Sequence, residues 1–106
     1  MNDYTRIPNG FLDEIMSRLS PPEIIVYLYI ARRTYGFNRR IAAISLAQFQ
    51  HGLTTKSGKV LDSGTGLSRS TIVLALRSLE AYGIIRYTPN GFSKTRYEMV
   101  DGCANI

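Results

Sequence analysis

The sequence predicts a mostly α-helical domain that finishes in a small β-hairpin. Two observations carry this prediction. Apolar residues recur at helical spacing in four stretches, three of which begin at a serine able to cap a helix: Ser20, Ser45 and Ser68. Farther on, two alternating runs flank Pro89-Asn90-Gly91-Phe92, where Asn and Gly tolerate the positive φ that a tight hairpin demands. A chain of 106 residues, 44% hydrophobic and 20% charged, can bury one core without disulfide or metal staples. It is expected to be a single domain over residues 1–106, with its core in about 4–100.

The first helix follows Pro8 and Asn9, with Phe11, Leu12, Ile15, Met16 and Leu19 on its apolar side. In the second, Ser20 is the cap, Pro21 presets the first turn and Glu23 completes a capping box. Nearly every side chain from Ile24 to Ala31 is apolar, which predicts a core helix covered on most sides, and Gly36 is the expected left-handed stop. After a polar turn at Asn38-Arg39-Arg40, Ile41 to Ile44 could pair at the edge of a small sheet. A short third helix runs from its Ser45 and Gln48 capping box to Gly52, with Leu46 and Phe49 inward. Residues 53–66 are rich in Thr, Ser and Gly around a lone Val60-Leu61 pair and are read as an inserted loop. Ser68 caps the fourth helix, which turns Ile72, Ala75, Leu76 and Leu79 inward and closes at Gly83. Ile84 to Thr88 and Lys94 to Val100 are the strands of the hairpin.

Helix, helix, strand, helix, helix, strand, strand is the order of a winged helix-turn-helix. In that arrangement the last helix enters a DNA major groove with its N-terminal residues on base edges and phosphates. The positions for this role are Ser68, Arg69, Ser70, Thr71, Val73 and Arg77. Ser68 to Thr71 could equally be an ordinary polar helix start, but a basic hairpin follows directly. There Arg86, Lys94 and Arg96 alternate with Ile85, Tyr87, Thr95 and Tyr97, so that one side packs and the other presents charge. Such a charged edge also discourages unwanted strand pairing. Arg39, Arg40, Lys56 and Lys59 could add phosphate contacts from loops or be plain surface.

Charge supports the same partner. The formal net charge is +5; residues 38–67 carry four basic side chains against one acidic, and residues 68–97 five against one. Ten of the thirteen basic residues are Arg, whose planar fork suits phosphates and guanine edges. A +5 total by itself also falls within what merely keeps a small protein soluble. Other chemistries fall away. Gly52, Gly58 and Lys59 suggest a phosphate loop, but Val60 stands where Ser or Thr is required, and Gly64 and Gly66 lack the third glycine of a dinucleotide fingerprint. His51 has no Cys or carboxylate companions for a metal, and Asp13 and Glu14 point to different sides of a helix. No cofactor, metal or catalytic role is expected. The single cysteine, Cys103, and the lack of any long apolar run or leader predict a cytoplasmic protein away from membranes.

The segments Tyr4-Thr5-Arg6-Ile7-Pro8-Asn9, Arg32-Arg33-Thr34-Tyr35-Gly36-Phe37-Asn38, Ile44-Ser45 and Gly66-Leu67-Ser68-Arg69-Ser70-Thr71 resemble the N-terminal domain of phage replication protein O. The likeness spans roughly residues 4–88 in matching order. It implies a winged-helix domain that binds repeated sites at a replication origin as a homodimer, while a separate C-terminal region recruits the replicative helicase machinery. By position, Ser68, Arg69, Ser70, Thr71 and Arg77 would read DNA, and Tyr35, Gly36 and Phe37 would be structural. Val73 and Leu74 depart from the polar readers usual on such helices; they could touch thymine methyls, pack under the inserted loop or form a protein contact. The sequence ends at Ile106, so the helicase-recruiting region is expected to lie outside it, in a longer protein or in none. Two other functions fit the residues: a winged-helix transcriptional regulator, and an interaction or self-association module without DNA binding.

Overall fold

The computed structural model describes residues 3–90 and 93–100; Gly91 and Phe92 of the hairpin turn and Cys103 lie outside the described residues. Three α-helices, α1 (Pro21–Arg33), α2 (Leu46–His51) and α3 (Arg69–Ala81), pack with three strands, β1 (Ile41–Ala43), β2 (Ile85–Asn90) and β3 (Ser93–Met99). The strands form one antiparallel sheet in the order β1-β3-β2. The fold is therefore mixed α/β: the hairpin expected on a mostly α-helical domain is two strands of a three-stranded sheet, and the segment expected to be able to pair at its edge does so. The third strand is the Ile41–Ala43 segment, which lies on the free side of β3 with Ala42 opposite Tyr97.

Local sequence accounts for most of the boundaries. Ser20 and Ser45 each accept from the backbone three residues on, while Glu23 and Gln48 reach back to the capping residue's N–H, so both boxes are complete. Ser68 caps α3 by accepting from Thr71 N–H. Ile72, Ala75, Leu76 and Leu79 are buried, as the period of α3 predicts. Gly83, at φ 78, turns the chain so that Ile84 N–H closes on Leu79 O at 3.0 Å.

Three expectations are corrected. Residues 11–18 are not one regular helix: a π-helical turn (Phe11–Ile15) is followed by a 3-10 turn (Met16–Arg18). On a regular α-helix a four-residue repeat drifts by about 40° per step. Widening one turn and tightening the next keeps Phe11, Ile15 and Leu19 buried while Leu12 and Met16 face solvent. Phe11 lies flat on Tyr27 of α1, with ring centroids 3.7 Å apart.

The second correction concerns α1. Val26, Tyr27, Tyr29, Ile30 and Ala31 are buried, but Ile25 and Leu28 are 39% and 41% exposed, so the helix has an uncovered apolar side. The third is its stop. Gly36 does not have a positive φ; the left-handed residue is Asn38, at φ 56, after a 3-10 turn (Tyr35–Phe37). Gly36 is required for room instead, since a Cβ there would meet Arg32 Nη1 at 2.7 Å and Thr5 Oγ1 at 2.9 Å. Thr34, fully buried, donates its hydroxyl to Ile30 O at 2.8 Å and so satisfies the end of the helix.

Residues 53–66 form no helix or strand but are fastened to the body. Thr54 and Val60 make an isolated antiparallel bridge, and Leu61 N–H donates to Leu53 O at 2.8 Å. Tyr29 of α1 donates its phenol to Asp62 Oδ1 at 3.0 Å, and Arg33 ties Tyr29 Oη to Gln48 Oε1. Thr65 donates both N–H and Oγ1 to Phe49 O, and Gly66 N–H reaches Gln50 O. The end of α2 and the start of α3 are thereby held in one register.

The inner face of the sheet carries Ile85, Tyr97 and Met99 against Phe49 and the helices. Burial pushes the Tyr97 phenol up to about 12. Where the unfolded phenol has ionised and the folded one has not, the unfolded chain binds fewer protons, so stability falls with rising pH. The contribution is complete below pH 10, and on the order of 2–3 kcal/mol is expected to be lost between pH 10 and about 12. Urea denaturation across that range checks it, and Tyr97→Phe should remove most of the slope.

Candidate nucleic-acid interface

The face of α3 opposite its buried side is open. Ser68, Arg69, Ser70, Val73, Leu74 and Arg77 line a shallow concavity of about 680 Å³. Five of the six residues expected on this helix are therefore neighbours around one surface. Thr71 stands apart: it is half-buried, accepts from Ser68 Oγ at 2.8 Å and lines a cleft of about 220 Å³ facing Pro22 and Glu23 at the start of α1. Its place in the cap explains this, because the residue whose N–H meets the capping oxygen is turned back toward the helix start.

Leu74, which the sequence singled out with Val73 as an apolar exception on this helix, also borders the site. It is 62% exposed, the most exposed large apolar side chain of α3, and it borders both the open concavity and the smaller cleft. The signal was present, since position 74 lies four residues from Ser70 and three from Arg77 and so shares their side of the helix.

On the sheet, Arg86 pairs in register with Glu98, Tyr87 with Tyr97 and Thr88 with Arg96. Arg86, Lys94 and Arg96 are exposed, while Tyr87 and Tyr97 turn toward the core with ring centroids 5.9 Å apart. The three cations are not equivalent. Arg86 Nη1 lies 3.6 Å from Glu98 Oε1, so its charge is answered across the strand. The sequence showed Glu98 but not which residue it would oppose. Lys94 and Arg96 stand nearer the hairpin tip on the same outer face.

The four loop cations lie on two different turns. Lys56 and Lys59 are exposed on the turn at the outer end of the 53–66 loop, where Gly58 N–H closes on Thr55 O. Arg39 and Arg40 precede β1 at the other end of the sheet, where Arg40 O accepts from Met99 N–H. The six steps along β3 from Met99 back to Ser93 at the tip span about 20 Å. The structure therefore does not gather Arg39 and Arg40 with the tip of the hairpin. His51 is exposed at the end of α2. Among the described residues no helix is long and apolar enough to cross a membrane.

A small mixed α/β domain thus presents an open, arginine-bearing helix face and, directly after it in the chain, a basic antiparallel ribbon. The family model of bacteriophage replication protein O matches residues 1–94, and the chain belongs to that family. The family points to a role in phage DNA replication. No curated protein and no solved structure matches the chain.

Proposed function

We propose that this chain is a winged helix-turn-helix domain that binds double-stranded DNA by sequence, recognises a phage or prophage replication origin in the cytoplasm, and acts by binding and not by catalysis. The observation that carries the reading is the outer face of α3, where Arg69, Ser70, Val73, Leu74 and Arg77 surround a concavity. α3 would lie in the major groove, with Arg69 and Arg77 on guanine edges or phosphates. Lys94 and Arg96 would follow the neighbouring backbone, with a smaller part for Arg86. Arrangement as a homodimer would double this surface on repeated sites, and helicase recruitment would fall to a different region.

Duplex binding measured against salt tests the proposal. Each phosphate neutralised contributes about −0.9 to the slope of log affinity against log salt. A footprint of clustered repeats supports origin recognition, whereas an operator overlapping a promoter would reassign the domain to transcriptional regulation. The exposed apolar residues Leu74, Ile25 and Leu28 favour a second reading, a self-association module without DNA binding. Oligomers that form independently of salt, with no duplex affinity, would establish it in place of the first.

Leu74 adds a base-specific expectation. An apolar side chain in the major groove is matched by the thymine methyl. Replacing the contacted thymine by uracil should cost about 0.8 kcal/mol, roughly fourfold in affinity. Leu74→Ala should lose a similar amount on the thymine site and little more on the uracil site, because the two changes delete the same contact. A uracil scan without effect at any position would assign Leu74 to a protein contact.

A further inference from the structure

A second basic surface stands apart from α3 and the hairpin tip. The N-terminal segment and the turn after α1 enclose a cleft of about 410 Å³, walled by Ile7, Pro8 and Tyr35 and rimmed by Arg6, Arg39 and Arg40. Ile7 and Tyr35 are half-buried against the core, so the apolar wall is anchored. The rim is shaped by the backbone. Asn38, the left-handed residue, reverses the chain after Phe37, and Arg39 N–H closes on Thr34 O at 2.9 Å. The Arg39 guanidinium lies 5.3 Å from the centroid of the Phe37 ring, whose environment also includes Arg32 at 4.5 Å. Thr5 and Arg32 crowd Gly36, so the N-terminal segment is seated against this turn.

We propose that this cleft is a docking site for an acidic segment of a protein partner, one that places an apolar side chain between carboxylates. The occupant follows from complementarity. Among the described residues the lining brings the guanidinium groups of Arg6 and Arg39 to one cleft with no acidic side chain, and planar guanidiniums favour bidentate carboxylates. The aliphatic walls, Ile7 and Pro8, suit a branched side chain; a nucleic-acid strand would call for exposed aromatic stacking platforms, and Tyr35 is half-buried. Arg40 adjoins Met99, about 20 Å along β3 from the hairpin tip, so the cleft stays open to a partner while the tip is engaged. This gives Arg39 and Arg40 a role that the α3 surface does not.

The test is selection from a random seven-residue peptide library on the immobilised full chain, followed by anisotropy with the fluorescein-labelled winner. Peptides bearing two or more Asp or Glu around Leu, Ile or Phe are expected. Their affinity should fall at least tenfold on the Arg6→Glu, Arg39→Glu double variant, with circular dichroism and Tm showing that the variant is folded. A single Arg39→Lys variant, which keeps the charge but loses the planar fork, should bind more weakly than the unaltered chain and more tightly than the double variant. Saturating duplex DNA should leave the peptide bound. Enrichment without acidic character, or equal binding to the double variant, overturns the proposal. Displacement by a thymidine hexanucleotide would make the cleft a nucleic-acid site, and displacement by duplex would merge it with the α3 surface; either outcome also overturns it.

Discussion

Gly52→Ala is expected to destabilise the domain by on the order of 3–5 kcal/mol, combining backbone strain with overpacking. Gly52 ends α2 at φ 98 and ψ −179, a region that only glycine occupies without strain. It also has no room: an added Cβ would lie 2.8 Å from Gly64 N and would run into the Asp62 carbonyl. Gly64 returns the approach, since a Cβ on it would stand 2.6 Å from Gly52 N. Two backbones therefore touch where the 53–66 loop comes back to α2. Moving Asp62 aside would strain its bond from Tyr29, and with it the register that joins Phe49 and Gln50 to Thr65 and Gly66. Gly58→Ala is the control. Gly58 has φ 89 but nothing within 4 Å, so only the left-handed cost of about 1–2 kcal/mol is expected. Urea denaturation compares the two, and equal losses would show that the close approach is not what Gly52 supplies. In the proposed function the same substitution weakens duplex binding beyond its effect on the folded fraction, because α3 is aimed from this junction.

Arg69→Ala and Arg77→Ala should each cost ~1–3 kcal/mol on a preferred duplex, about 5- to 150-fold in affinity, if each arginine reads a base. Both are exposed on the open face of α3 and border the same concavity. Loss of equal size on all sequences would make the residue a phosphate contact, with a shallower salt slope by about one unit. Lys94→Ala and Arg96→Ala should weaken all sequences alike. Arg86→Ala should do so less, because Glu98 already stands 3.6 Å from its guanidinium. Arg39→Ala, at the far end of the sheet, should change duplex affinity less than twofold. Anisotropy titrations at two salt concentrations distinguish these outcomes, and an Arg39 effect as large as that of Arg77 would contradict the division into two surfaces.

The legible parts of the structure were those written in short stretches of chain. Ser20, Ser45 and Ser68 announced three helix starts because a cap depends on residues three apart. The inward set on α3 was legible because a 3.6-residue period sorts Ile72, Ala75, Leu76 and Leu79 to one side and Ser70 and Arg77 to the other. The same rule placed Leu74 outward beside Val73, and the sequence left open whether the pair meets thymine methyls, the inserted loop or another protein. Segment 11–18 misled because its apolar spacing fits a regular helix, while the stack of Phe11 on Tyr27 is served by a wide turn and a tight one. Gly36 misled in another way: it is needed for room beside Arg32 and Thr5, and Asn38 makes the left-handed turn.

By itself the sequence determined the order of elements, the caps and the side of α3 that faces away from the core, since these follow from neighbours within a turn of chain. Tertiary structure alone decided the register of β1 on β3, that Gly52 meets Gly64, that Glu98 answers Arg86 and that Arg6 stands with Arg39 around a cleft. Each of those pairings joins residues whose separation along the chain carries no periodic signal, so only the packed core, by fixing where distant segments pass one another, could select them.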